Sequence, residues 1–196
     1  ALDMSAIAGN VYIQSLAGSG SVISGSVAPN SLVITDAGDT FSGVLNGTGG
    51  LRIAGGTQTL TGINTYSGPT VVDLGANLIA GVQSIPGDIV NNGSFGFNQS
   101  TPGTFASNMS GSGTMVIGGT GMITLTGTNT QAGGTKINSG ASLMIGSVNA
   151  LSGNQVQSDN GSFGINDGIV LSSLGITGSV TLTSDIYTTG SQSYDN

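Results

Sequence analysis

Residues 110–146 restate, with one insertion, the text of residues 46–81. Gly47 falls on Gly111, Gly49 on Gly113 and Ile53 on Ile117. Past the insertion, Leu60-Thr61-Gly62 falls on Leu125-Thr126-Gly127, Asn64 on Asn129, Gly68 on Gly133, Thr70 on Thr135, Val72 on Ile137 and Gly75 on Gly140. The copies close on near-identical text, Asn92-Gly93-Ser94-Phe95-Gly96-Phe97-Asn98 against Asn160-Gly161-Ser162-Phe163-Gly164-Ile165-Asn166. A period of about 64 to 68 residues marks a repeat array, whose units bury their apolar faces only by stacking. The copies run near 41–98 and 105–166, and no linker or shift in composition separates them. This predicts one continuous segment over 1–196, cut from a longer protein.

Within each copy the apolar runs are tiny. Val11 and Ile13, Ser21 to Ser24 and Ser31 to Thr35 read as strands, as do Phe41 to Leu45, Leu51 to Ile53 and Thr57 to Thr61. Thr70 to Asp73, Ala76 to Ile79, Asp88 to Val90 and Ser94 to Phe97 complete the first copy. The second repeats the order, and Ile169 to Leu171, Ser179 to Thr183 and Ile186-Tyr187 extend it. Turn text fills the gaps, including Gly25, Pro29-Asn30 and residues 36–39. Gly supplies 36 of 196 residues and charged residues only 6%, so a helix of three turns has almost nowhere to form. A sandwich needs longer strands and a larger aromatic core, and aromatics here are 5%. Coils of about 20 residues, stacked at the strand spacing of roughly 4.8 Å, satisfy the pattern: an all-β parallel β-solenoid of about nine or ten coils. Val, Ile, Leu, Phe and Met should ladder inward while Thr, Ser, Asn and Gln face water. Asn92-Gly93 and Asn160-Gly161 read as corners, where positive φ or missing bulk is needed.

The motif Gly47-Thr48-Gly49-Gly50-Leu51, Thr59-Leu60-Thr61-Gly62-Ile63-Asn64-Thr65-Tyr66-Ser67-Gly68-Pro69-Thr70, Gly75-Ala76-Asn77-Leu78 resembles the autotransporter-associated β-strand repeat of bacterial surface passengers. Gly111-Ser112-Gly113, residues 124–135 and Gly140-Ala141-Ser142-Leu143 repeat it. Gln131 stands where the first copy has Tyr66, and Gly134 where it has Pro69. Residues 16–45 resemble the upstream part of the same unit, and residues 182–190 resemble repeats of large secreted adhesins. The resemblance implies a right-handed parallel β-helix, exported through periplasm and outer membrane to the bacterial cell surface, with its translocation barrel elsewhere in the parent protein. It implies a stalk or scaffold and brings no catalytic residues.

Charge and composition exclude several classes. A net charge of −7 with Arg52 and Lys136 as the only fixed cations rules out a phosphate-binding nucleic-acid reader and a polybasic membrane-surface module. No apolar run reaches a membrane span of about 18 residues, and no signal-peptide pattern opens the chain. With no His or Cys, zinc has no ligand set and a nucleophilic triad has no base, leaving Lys136 as the one amine. Lys136 reads as a solvated strand residue. Asp36/Asp39 and Asp159/Asp167 are the acid pairs to weigh for glycoside cleavage, and Asp36/Asp39 for calcium, but each reads first as turn chemistry. The Thr-x-Thr runs Thr57/Thr59/Thr61, Thr124/Thr126 and Thr181/Thr183 lie one per copy, too sparse for a continuous ice-binding array. Tyr66 sits in a loop, exposed by position, where a partner or glycan would meet it, or packs back on its own coil. The expected function is a non-catalytic structural or adhesive stalk with no cofactor. Its partners would be a host surface, a glycan or an identical chain. A carbohydrate-active β-helix enzyme and a self-associating module are the alternatives.

Overall fold

The structure, a computed structural model, describes residues 1–25, 31–151, 155–171 and 174–195. The Pro29-Asn30 turn lies outside them. The chain is a parallel β-solenoid of about 9 turns, and it divides into two compact units, Ala1–Phe95 and Gly96–Asn196.

In the first unit three parallel ladders line the coils. One joins Leu2–Asp3, Ser21–Ser24 and Val44–Gly47. The second joins Val11–Ile13, Ser31–Ile34, Gly50–Ile53, Thr70–Val72 and Ile89–Asn91. The third joins Thr40–Phe41, Thr57–Leu60 and Asn77–Ala80. Side chains alternate along each strand, so in every ladder inward side chains stack on inward ones and outward on outward. Leu32, Leu51, Thr70 and Ile89 form one buried column and Ile34, Ile53, Val72 and Asn91 the next. A short 3₁₀ turn, Val82–Ser84, fills one corner.

The second unit has two such ladders. Gly103–Phe105, Ile123–Leu125, Ser142–Ile145, Gly161–Ile165 and Val180–Leu182 make the first. Thr114–Gly118, Thr135–Ile137, Gln155–Ser158, Leu174–Thr177 and Gln192–Asp195 make the second. Phe105, Leu125, Ile145 and Ile165 stack in one buried column. The Phe97 and Phe105 rings meet at 5.1 Å between centroids and 59° between planes, within the range of tilted aromatic pairs.

Three sequence expectations need correction. Polar side chains do not all face water: Gln58, Asn64, Thr70, Asn91, Asn129, Gln131 and Thr135 are buried. Where Oε1 and Nε2 of Gln58 are concerned the reason is visible. They reach the main chain of Leu16 and the carbonyl of Asp39, groups that apolar packing would strand. Second, the run from Phe41 to Leu45 is two strands broken at Ser42-Gly43, where a Cβ on Gly43 would meet the Gly20 carbonyl. The stretch from Asn64 to Gly68 is a loop as expected, without strand form, yet it hydrogen-bonds to the preceding coil as a rung. Thr65 donates to Leu45 O at 2.8 Å and Ser67 to Gly47 O at 2.9 Å. The second copy does the same, Thr130 to Met109 O at 2.7 Å and Ala132 to Gly111 O at 2.9 Å. Third, Ile169 to Leu171 and Ile186-Tyr187 are not strands; among the described residues a single bridge, Leu171 to Thr188, forms there.

Both expected corners are bends, the second closing at Asn160 where the strand Gly161–Ile165 begins. Asn92-Gly93 joins Ile89–Asn91 to Ser94–Asn98. Asn160, at φ 53°, is the non-glycine residue with positive φ among those described, the conformation Asn tolerates best after Gly.

Candidate functional site

The departure from the ladder near residue 170 leaves a hollow of about 340 Å³ in the second unit. One wall is Ile165, Asn166, Asp167, Gly168 and Ile169; the other is Thr183, Ser184, Asp185 and Tyr187. Both ends of the two walls are pinned. Ile165 donates its N–H to Ser184 Oγ at 2.7 Å, and the Thr183 hydroxyl donates to Phe163 O at 3.2 Å. At the far end Leu171 donates to Tyr187 O at 3.2 Å and Thr189 to Leu171 O at 3.0 Å. Between these pins the coils part. The first wall bends through Asp167-Gly168, with Gly168 at φ 79°, a conformation that L side chains resist.

The chemistry of the hollow is two carboxylates, an amide, two hydroxyls and a phenol. Asp167, Asp185 and Tyr187 are exposed, Tyr187 at 62%. No cation lines it. Such a set accepts and donates hydrogen bonds but concentrates negative charge.

Sequence reasoning paired Asp167 with Asp159. Asp167 instead shares a lined space with Asp185, one coil onward, and Asp159 is exposed outside that lining. The signal that finds Asp185 is coil length, because residues one coil apart become neighbours. Asp36 and Asp39 are exposed turn residues of the first unit. Asp36 Oδ2 accepts from Gln14 Nε2 at 3.4 Å, and the Asp39 carbonyl holds the Gln58 amide. Among the described residues no group of three or more acids is placed to hold a metal ion.

Lys136 is half-buried on the outward side of its strand, between Val116 and Gln157. It lines a shallow groove of about 120 Å³ with Thr114, Gln155, Gln157 and Thr177. Arg52 pairs with Asp73 at 2.8 Å on the surface of the first unit. The Thr runs make no continuous array, since Thr59 lies between Thr40 and Ile79, and Thr124 between Thr104 and Met144.

Tyr66 is not an exposed contact residue. It is 2% exposed, and its hydroxyl meets Thr70 Oγ1 at 2.6 Å. Burial pushes its phenol up to about 12, more than the Thr70 hydrogen bond lowers it. In the second copy Gln131 and Thr135 hold the matching positions, both buried, and Thr135 Oγ1 has no hydrogen-bond partner. Comparison with protein families, curated proteins and solved structures finds no match to this chain.

Proposed function

We propose that the chain is a structural stalk segment, with an adhesive role, of a secreted bacterial surface protein of the autotransporter-passenger or large-adhesin kind. One observation carries this: what the two copies share is the machinery of coil stacking. Asn64 and Asn129 each bridge the coil before and the coil after through the side-chain amide. Gly62 and Gly127 each lie against a main-chain carbonyl of the preceding coil. A sequence that repeats its stacking parts and lets outward residues change, as Val71 to Lys136 and Ile79 to Met144, is suited to spanning distance. The motif resemblance supplies the export route and the bacterial surface.

Two assays test the reading. Fused ahead of a translocation barrel in a Gram-negative cell, the segment should display an N-terminal tag to antibody and resist added protease. Retention in the periplasm or rapid degradation would count against it. Incubated with a polysaccharide panel, the purified chain should release no fragments. Turnover that is lost in Asp36→Ala, Asp159→Ala or Asp167→Ala would replace the stalk with a carbohydrate-active enzyme.

A further inference from the structure

We infer that the hollow between residues 165–169 and 183–187 binds an uncharged sugar, one or two pyranose rings in size. This gives the adhesive half of the proposed function a site and a ligand class; coil stacking stands apart from it. Four observations lead there. The hollow, about 340 Å³, falls at the small end of the roughly 300–1,000 Å³ range of ligand pockets. It is preformed, because hydrogen bonds pin its walls at both ends, so little ordering is needed on binding. Its polar groups suit vicinal hydroxyls: the carboxylates of Asp167 and Asp185 accept, and the Asn166 amide both donates and accepts. The Tyr187 ring, 62% exposed beside them, offers an apolar face to the C–H face of a pyranose and a hydroxyl at its rim.

Charge selects within the class. Two carboxylates without a lining cation repel uronic and sialic acids and phosphosugars. The neutral hexoses and N-acetylhexosamines remain.

The purified full chain should be titrated with glucose, galactose, mannose and N-acetylglucosamine in buffer containing EDTA, with binding followed by NMR. At least one sugar should shift the resonances of Asn166 to Ile169 and Asp185 to Tyr187. Tyr187→Ala and the pair Asp167→Asn/Asp185→Asn should each weaken that sugar about tenfold or more. Tyr12→Ala, at an exposed tyrosine of the other unit, should leave it unchanged. Circular dichroism checks that each variant keeps its strands. Absence of binding by all four sugars, binding that appears only when calcium replaces EDTA, or binding that survives Tyr187→Ala in a folded variant would overturn the inference. A chain that binds no sugar yet still displays its tag and resists protease would lose this site and keep its stalk role.

Discussion

Asn64 Oδ1 accepts the main-chain N–H of Leu45 at 2.8 Å, while Asn64 Nδ2 donates to Ser84 O at 2.7 Å. Asn129 repeats the arrangement with Met109 N at 3.1 Å and Ala150 O at 2.7 Å. One buried amide thus ties three successive coils at a corner where no regular strand pairs them. The amide matches one donor to one acceptor, and no apolar residue of that size can.

Asn64→Ala should therefore leave a buried N–H and a buried carbonyl without partners. Each stranded group costs about 1–3 kcal/mol, so a loss of about 2–6 kcal/mol is expected from urea unfolding of the full chain. Asn129→Ala should lose less, about 1–3 kcal/mol, because the Met109 N–H also donates to the Thr128 carbonyl at 3.2 Å and only the Ala150 carbonyl loses its side-chain donor. Asn64→Leu should recover little, because added apolar area does not pair the two main-chain groups. A loss under about 0.5 kcal/mol in both alanine variants would show that water reaches the corner and replaces the amide.

The same substitution should have opposite signs in the two copies. Thr70 Oγ1 is bound to the Tyr66 hydroxyl at 2.6 Å, whereas Thr135 Oγ1 is buried without a partner. Thr70→Val strands a buried phenol hydroxyl and should destabilise by about 1–3 kcal/mol. Thr135→Val exchanges an unpartnered hydroxyl for a methyl group among Met115 and Val156, and should be neutral or stabilise by up to about 1 kcal/mol. Equal losses in the two variants, read as shifts of the urea midpoint, would mean that the Tyr66 pairing contributes nothing.

Period and strand text made the solenoid legible, because a two-residue alternation with frequent Gly leaves few other ways to bury Leu51, Ile53 and Val72. The inward polar residues were less so. Gln58 alternates in phase with Leu60, and its inward position follows from that phase. A rule that sends amides to water conceals it, since the groups it satisfies, Leu16 and Asp39, lie on other coils. Tyr66 was misplaced for a related reason. Loop text around it marked exposure, but the segment pairs with Leu45 and Gly47 as a rung, which turns the ring inward. The hollow was invisible in sequence because it arises where the apolar runs at Ile169 and Ile186 fail to pair. Coil length alone would have joined Asp167 to Asp185.

Close approach and backbone conformation can be separated by glycine substitution. A Cβ on Gly62 would meet the Gly43 carbonyl, and one on Gly127 the Ser107 carbonyl. Main-chain atoms cannot step aside, so alanine at either site should cost about 1–3 kcal/mol through displacement of the preceding coil. Gly140 is different: φ is +75° and a Cβ would meet nothing within 4 Å. Gly140→Ala should cost about 1 kcal/mol from conformation alone, and Gly140→Asn less. Hydrogen exchange distinguishes the two causes. Gly127→Ala should speed exchange at the rung of Thr130 and Ala132, and Gly140→Ala should leave that rung protected. Identical exchange patterns would refute the separation.

Tyr66 also sets an alkaline limit. Its phenol is raised from 10.0 to about 12 by burial, so the folded chain keeps the proton in a range where the unfolded chain releases it. Between those values the unfolded state binds fewer protons than the folded, and stability falls as pH rises. The contribution is whole below about pH 10, declines through about pH 12 and is then gone, a change of about 2–3 kcal/mol for a shift of this size. Phenylalanine carries no such proton. The stability of Tyr66→Phe minus that of the parent should therefore be constant from pH 7 to 9 and rise by that amount between pH 10 and 12. Taking the difference cancels every other titrating group. A flat difference across the window would place Tyr66 in contact with water, contrary to its burial against Thr70.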